Sequence, residues 1–263
     1  MSFFGQLFHR TRATSADPWI RPTTANLNPP TPRTRRYLAG SDYFLPKDQE
    51  EEFRLNFQHH ALYHAIGNHY VAPIDPATRL MLDVGTGTGI WAVEMARQFP
   101  TAQVIGVDVD PALFSTRTPE NCRLRVGDVL SRLPFPDQFF GYTHQRFLRA
   151  AITTRNWPGV VRELARVTSA GGWVELVEMD DQVQPAGPAS RHLQTVIAEV
   201  SQRLGFDGDV IRHLGDLLTG AGLHAVEEQR IVMPLGEWGG RVGSLLKRDV
   251  LAVLDTIKGR CCT

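Results

Sequence analysis

The residues that could do chemistry begin with a glycine-rich loop between two carboxylates. The loop contains Gly85, Gly87 and Gly89, Asp83 precedes it, and Asp108 closes the next apolar run. A loop that leads from a strand into a helix leaves backbone N–H groups free, and glycine lets a ligand approach that backbone closely. An acid placed as Asp108 is can accept the hydroxyls of a ribose. We therefore predict that the loop binds an adenosine-containing cofactor.

The spacing of the glycines and a third acid indicate which cofactor this is. Dinucleotide sites use G-x-G-x-x-G, whereas this loop reads G-x-G-x-G with Asp83 beside it, and a carboxylate there repels a pyrophosphate but suits an amino group. Asp128 ends the third predicted strand, where it can accept a hydrogen bond from an adenine amine. This set predicts S-adenosylmethionine, which has an ammonium, a sulfonium and a ribose. It argues against NAD and FAD.

The elements that must position these residues alternate between strand and helix. This order is typical of an α/β, doubly wound and mostly parallel sheet. The predicted strands are residues 80–85, 103–109, 122–129, 139–146, 172–179 and 224–233, and the predicted helices are 89–98, a short one after Asp110, 157–167, 190–204 and 210–221. Residues 241–263 are predicted to be helical, so no further strand follows residues 224–233. The predicted strand 224–233 would then have an unpaired edge, which favours marginal stability or a homodimer.

An amphipathic helix precedes the first strand. Pro46 and the acids after it indicate a helix start, and apolar residues follow at about one-turn spacing. The same stretch contains His59, His60, His64 and His69. His60 and His64 could share an ion, but no acid or cysteine at matching spacing completes a site, so we predict no metal.

Composition defines the remaining organisation. Residues 1–41 contain many arginines and prolines but one acid, Asp17, which predicts a flexible basic arm, although an organelle transit peptide has a similar composition. Residues 42–78 are predicted to form a helical cover, and residues 79–263 the cofactor-binding domain.

The net charge is 0 and the pI about 7.1, which argues against a nucleic-acid substrate. No apolar run is long enough for a membrane span, and three cysteines are too few for a disulfide framework, so a cytoplasmic location is expected.

Several segments together resemble a known family. They are "YFLPKDQEEEFRLNFQHHALYHAIGNHYVAPI", "LDVGTGTGIWAVEMARQFPTAQVIGVDVDP", "NCRLRVGDV", "HQRFL" and "GGWVELVEMD", within residues 43–181. The chain resembles the class I S-adenosylmethionine-dependent methyltransferases, in the branch around the fungal secondary-metabolism regulator LaeA. The resemblance implies a cofactor site formed by Asp83, Gly85, Gly87, Gly89, Asp108 and Asp128. It also implies a Rossmann-like sheet that ends in an antiparallel strand, and that last strand is missing from the predicted elements.

The candidate site extends beyond the loop and the three acids. The full set of predicted cofactor-binding residues is Tyr43, Gln58, Asp83, Gly85, Thr86, Gly87, Gly89, Asp108, Val109, Asp128, Val129, Gln145 and Arg146. On the acceptor side, ligands bind beyond the carboxyl ends of the strands, which favours His144, Gln145, Arg146 and Glu178. If the enzyme uses a general base, His59 and His144 are the candidates; alignment of the reactants alone is the alternative.

Three function classes fit these observations. The first is methyl transfer to a small molecule, for which a secondary metabolite is the expected acceptor. The second is a LaeA-like regulator that acts through protein partners, and such a protein could be nuclear. The third is methylation of a macromolecule, which the neutral charge makes the weakest of the three.

Overall fold

The computed structural model describes residues 36–37, 45–180, 182–206 and 208–261. Most of the predicted basic arm, together with Tyr43, lies outside the described residues. The strands are β1 (Leu80–Val84), β2 (Gln103–Asp108), β3 (Cys122–Val126), β4 (Phe140–Arg146) and β5 (Thr168–Val177), and the helices are α1 (Gln49–Ile66), α2 (Ile90–Gln98), α3 (Trp157–Val167), α4 (Pro188–Arg203), α5 (Leu214–Gly220) and α6 (Gly240–Cys261). The predicted short helix after Asp110 is a single 3₁₀ turn, Pro111–Leu113.

The five described strands form one parallel sheet in the order β3-β2-β1-β4-β5. Because β1 lies between β2 and β4, the strand order reverses beside β1. In open α/β sheets, ligands bind at such a reversal, outside the carboxyl ends of the strands. The doubly wound α/β fold predicted from the alternation of strands and helices is therefore confirmed.

The prediction of a strand at residues 224–233 is wrong. These residues form no strand in the structure, and Val232 is 94% exposed. An alternating pattern supplies an apolar face, but a strand also needs a neighbour with free N–H and C=O groups in register. Among the described residues β5 pairs only with β4 and β3 only with β2, so these two strands form the two edges of the sheet.

The sheet has a buried layer on each face. On one face, Trp157 and Leu164 of α3 pack against Leu82 and Val84 of β1. On the other face, Trp91 of α2 packs with residues that include Met81 and Tyr142. Trp91 and Trp157 are at most 1% exposed. Burial of large aromatic side chains on both faces stabilises the sheet and holds its strand ends in place.

Helix α1 is joined to the C-terminal helix α6. The Arg54 guanidinium donates hydrogen bonds to both carboxylate oxygens of Glu51, at 2.8 and 2.7 Å, and to Asp249 of α6 at 2.6 Å. The Arg248 guanidinium lies 4.6 Å from the centre of the Phe57 ring. Helix α6 therefore packs against α1. The prediction that residues 241–263 are helical is confirmed over the described residues. No helix in the described part of the chain is long and apolar enough to cross a membrane.

Candidate active site

The loop between β1 and α2 requires glycine at two positions. Gly85 has a φ of 69° and Gly89 a φ of 79°, in the left-handed region that residues with a side chain rarely adopt. A Cβ atom at Gly85 would lie 2.5 Å from the Leu148 side chain, and one at Gly89 would lie 2.6 Å from Leu124. The glycines therefore allow a sharp turn and close packing of the loop against the residues that follow β4 and against β3.

Asp83 is buried below this loop and has two partners. One of its carboxylate oxygens accepts a hydrogen bond from the Thr86 hydroxyl at 2.6 Å, and the other lies 2.8 Å from His144 Nδ1. The side chain of Asp83 is only 3% exposed. Asp83 thus ties the predicted loop residue Thr86 to the predicted base His144.

Asp108 ends β2 beside the loop, as predicted from the sequence. Its Oδ2 atom accepts a hydrogen bond from the Gly87 N–H at 2.9 Å. Its Oδ1 atom lies 3.2 Å from the Lys47 ammonium, and both side chains are 8% exposed. Sequence reasoning missed Lys47, because nothing in its spacing relates it to an acid 61 positions later.

Three other predicted residues follow the ends of β2 and β3. Val109 is 43% exposed, Val129 is half-buried and Asp128 is exposed. The Asp128 carboxylate accepts a hydrogen bond from the Leu130 N–H at 2.9 Å, which forms a local turn. The Gly127 N–H donates to the Asp108 carbonyl at 3.0 Å, so the two strand ends stay adjacent. Asp108 and Asp128 therefore lie at the same edge of the sheet.

Helix α1 lies directly over the glycine loop. A Cβ atom at Gly87 would lie 3.3 Å from the Leu55 side chain, and the Thr88 hydroxyl donates to Asn56 at 3.2 Å. The predicted cofactor residue Gln58 instead donates its amide hydrogen to Asp249 of α6, at 3.3 Å. The contacts between α1 and the glycine loop thus come from Leu55 and Asn56, which the sequence analysis did not predict as site residues.

His144 is enclosed as well as hydrogen-bonded. Its ring stacks on Trp91 with the centroids 3.9 Å apart and the planes inclined by 3°, and the residue is 1% exposed. Stacking and the contact with Asp83 fix the orientation of the imidazole. His144 is therefore held rigidly between the glycine loop and α2.

His59, the other predicted base, belongs to a buried polar cluster. Its Nδ1 accepts a hydrogen bond from Arg146 at 2.9 Å, and its Nε2 lies 2.7 Å from a Glu94 oxygen. His69 Nε2 lies 3.2 Å from the same oxygen. Burial, and secondarily the Arg146 cation, lower the pKa of His59 well below its usual range. The sequence pattern pointed to the histidines but not to Glu94.

The cluster has the residue types of a metal site, but the nitrogen of His59 that would bind the metal carries a proton. His59, His69 and Glu94 place one ligand atom each within 4.8 Å of one another. Arg146 can only donate, so it requires an unprotonated Nδ1 on His59. The neutral ring then carries its proton on Nε2, the atom that faces Glu94, and a protonated nitrogen cannot bind a metal. The arrangement therefore favours a hydrogen-bonded cluster over a metal centre.

The side chain of Gln145 lies on the other face of the sheet from those of its neighbours His144 and Arg146. Side chains alternate along a strand, so Gln145 lies on the opposite face from His144 and Arg146. Both of its side-chain amide atoms are buried and have no hydrogen-bond partner among the described residues. The structure therefore brings Arg146 and His59 together but leaves Gln145 on the α3 side of the sheet.

Glu178 follows β5 and holds the segment after β4. Its two carboxylate oxygens accept hydrogen bonds from the backbone N–H groups of Leu148, at 2.9 Å, and Arg149, at 3.3 Å. Burial raises the pKa of Glu178 from 4.5 to about 7, although these two N–H groups act in the opposite direction. Glu178 thus positions Leu148, which packs against Gly85.

This pKa predicts a dependence of stability on pH. A carboxyl group with a raised folded-state pKa contributes stability below its unfolded pKa of 4.5, and that contribution is lost as the pH rises through about 7. Between pH 5.5 and 8 the parent should lose about 2 kcal/mol relative to Glu178→Gln, which cannot ionise. Urea unfolding of both proteins at the two pH values measures this difference. Parallel stability curves would show that Glu178 does not titrate in this range.

Comparisons with known proteins agree with this geometry. Residues 81–172 match a family model described as a methyltransferase domain. The structure of human N-acetylserotonin methyltransferase in complex with S-adenosylmethionine superposes with a TM-score of 0.51 at 16% identity, over 70% of this chain and 53% of that one. At this identity the likeness concerns the fold alone.

Curated relatives come from fungi. Methyltransferase pytC of Aspergillus terreus is 31% identical over 78% of this chain, and N-methyltransferase sirN of Leptosphaeria maculans is 30% identical over 82%. The secondary metabolism regulator laeA of Emericella nidulans is 29% identical over 78% of this chain. The matches span 64% of pytC, 80% of sirN and 56% of laeA, so part of each relative lies outside the likeness. The chain belongs to the S-adenosylmethionine-dependent methyltransferases, in the branch that contains these fungal relatives.

Proposed function

We propose that the protein transfers the methyl group of S-adenosylmethionine to a small-molecule acceptor, and that this acceptor is a secondary metabolite. The observation that carries the proposal is the position of Asp108, a buried acid at the carboxyl end of β2 whose carboxylate contacts the glycine loop at Gly87. A carboxylate there suits the two hydroxyls of a ribose. Among the named relatives, sirN is an N-methyltransferase and laeA a regulator of secondary metabolism.

The chain's own residues would contribute alignment and shielding from water. When bound, S-adenosylmethionine supplies an electrophilic methyl group that an acceptor N, O, C or S atom can attack in line with the C–S bond. Helix α1 covers the glycine loop through Leu55 and Asn56, so it would limit the access of water to a bound cofactor. Positioning of this kind can supply much of the rate enhancement of a transfer between two bound molecules.

A general base remains part of the proposal. His59 and His144 are the candidates, since an acceptor hydroxyl or ammonium must lose a proton. Both nitrogens of His59 already have partners, and His144 keeps one nitrogen on Asp83. Either histidine would therefore have to exchange a partner for the acceptor. Alignment without a base is the alternative mechanism.

Cofactor specificity provides the first test. Isothermal titration calorimetry should show binding of S-adenosylhomocysteine, and excess NAD or FAD should not displace it, because Asp83 and the shortened glycine spacing disfavour a pyrophosphate. A metabolite screen with a coupled homocysteine assay then identifies the acceptor. Displacement of S-adenosylhomocysteine by either dinucleotide at a comparable concentration would favour an oxidoreductase instead.

The likeness to laeA supports a second candidate, a regulator that acts through protein partners. Turnover on a purified metabolite would favour the enzyme, whereas a stable protein complex without turnover would favour the regulator. A homodimer and a cytoplasmic location, or a nuclear one for a regulator, also stay predictions. Light scattering and imaging of a tagged chain test them.

A further inference from the structure

Asp108, the acid proposed to bind the ribose, is already paired in the structure. The Lys47 ammonium lies 3.2 Å from its Oδ1 atom, and the two side chains are each 8% exposed. A pair this well shielded from water is screened little by salt, so the attraction between the two charges persists at physiological ionic strength. The site therefore contains a cation where a ribose hydroxyl is expected to bind.

The other contacts of Asp108 use most of the hydrogen-bond acceptor positions of its carboxylate. Oδ2 accepts the Gly87 N–H at 2.9 Å, and Oδ1 also accepts the Asp110 N–H at 3.2 Å. An ionised carboxylate has about four acceptor positions, and three are in use. Two ribose hydroxyls need two positions. One existing donor must therefore leave when a ribose binds.

Lys47 is the donor that can leave. The N–H groups of Gly87 and Asp110 are parts of the backbone at the strand ends, whereas the Lys47 ammonium is carried by a flexible four-carbon chain. The backbone of Lys47 is itself held on both sides: its N–H donates to the Arg36 carbonyl at 2.7 Å, and its carbonyl accepts from Arg36 Nε at 2.6 Å. Asp48, the next residue, caps α1. The side chain of Lys47 can therefore rotate away from Asp108 while its backbone keeps both hydrogen bonds to Arg36.

We propose that Lys47 competes with the cofactor ribose for Asp108, and that the ribose hydroxyls replace its ammonium when the cofactor binds. This exchange rests on the proposed function, because it requires that the cofactor binds at Asp108. The contact with Lys47 satisfies the buried Asp108 carboxylate without cofactor, and breaking it lowers the affinity for S-adenosylmethionine. Binding of the cofactor therefore displaces the Lys47 ammonium from Asp108. Lys47 lies in the segment that leads into helix α1, so this displacement couples cofactor binding to that segment.

The exchange predicts that removing the ammonium tightens binding. Lys47→Met keeps an unbranched side chain one atom shorter and removes the competing ammonium, so the dissociation constant of S-adenosylhomocysteine should fall about tenfold, the scale of one hydrogen bond to a charged group. Lys247→Met is the control, because Lys247 is exposed on α6 and pairs with Glu237. Isothermal titration calorimetry of parent and both variants gives the three constants, and thermal melts confirm that each is folded.

A labelling experiment on the parent protein needs no variant. The sequence has only three lysines, at positions 47, 247 and 258, so acetic anhydride labelling can be read by mass spectrometry at each one. Saturating S-adenosylhomocysteine should raise the acetylation rate of Lys47 several-fold while that of Lys247 stays constant.

The outcomes separate this exchange from the proposed function. Weaker binding by Lys47→Met, or protection of Lys47 by S-adenosylhomocysteine, would make Lys47 a direct cofactor ligand and overturn the exchange while leaving the cofactor site in place. Unchanged affinity together with unchanged labelling would also overturn it. Absence of binding in both parent and Lys47→Met would overturn the proposed function, and the exchange with it.

Discussion

Replacing Asp108 by asparagine should weaken S-adenosylhomocysteine binding by about 10- to 100-fold, the equivalent of about 1.5 to 3 kcal/mol for a hydrogen bond to a charged group. Asparagine retains an oxygen that can accept the Gly87 N–H, so the loop contact at 2.9 Å survives. What is lost is the charge and one acceptor for the ribose. Calorimetry at fixed pH and salt measures the change.

Asp110 provides a matched control two positions further along the chain. Its carboxylate accepts the Ala112 N–H at 3.0 Å and lies 3.5 Å from Arg36, and neither contact involves the glycine loop. Asp110→Asn should leave the affinity within about twofold, as expected for a substitution outside the binding contacts. If Asp110→Asn weakened binding as much as Asp108→Asn, the ribose acid would have been assigned to the wrong residue.

Replacing Arg54 by methionine should destabilise the protein by about 3 to 5 kcal/mol, because it leaves buried carboxylates without their cation. Arg54 and its partners Glu51 and Asp249 are at most 6% exposed. Burial raises the pKa of Asp249, and Arg54 opposes this rise. The Arg54 contacts tie α1 to α6, so the variant should also loosen α1 over the glycine loop. Urea unfolding at neutral pH measures the loss.

Two further variants test this explanation. Arg212→Met removes an exposed cation that pairs with Asp209, and the change should be within about 0.5 kcal/mol. The triple variant Glu51→Leu, Arg54→Met, Asp249→Leu removes all three charges, and it should recover much of the stability lost in Arg54→Met, because no uncompensated buried charge remains. A loss below about 1 kcal/mol in Arg54→Met would mean that the buried carboxylates do not depend on this cation.

Local patterns in the sequence were enough to predict most of the elements and the position of the site. The glycines at 85 and 89 and the acid Asp108 lie where predicted, because the turn, the strand end and the spacing between them depend on residues close together in the chain. The first five predicted strands are all present. The same local rules produced the wrong strand at 224–233, since pairing depends on a partner that the pattern does not contain.

Only the tertiary structure decided which side chains meet at the site. Lys47 and Asp108 are 61 positions apart, and Arg54 and Asp249 are 195 apart, so no periodicity relates either pair. The sequence predicts that Gln58 binds the cofactor, and only the packing of α1 against α6 shows that its amide also donates to Asp249. The physical reason is that the sequence determines the strand ends, loops and helix faces through short-range geometry, whereas the contacts between these elements are determined by how their buried surfaces pack.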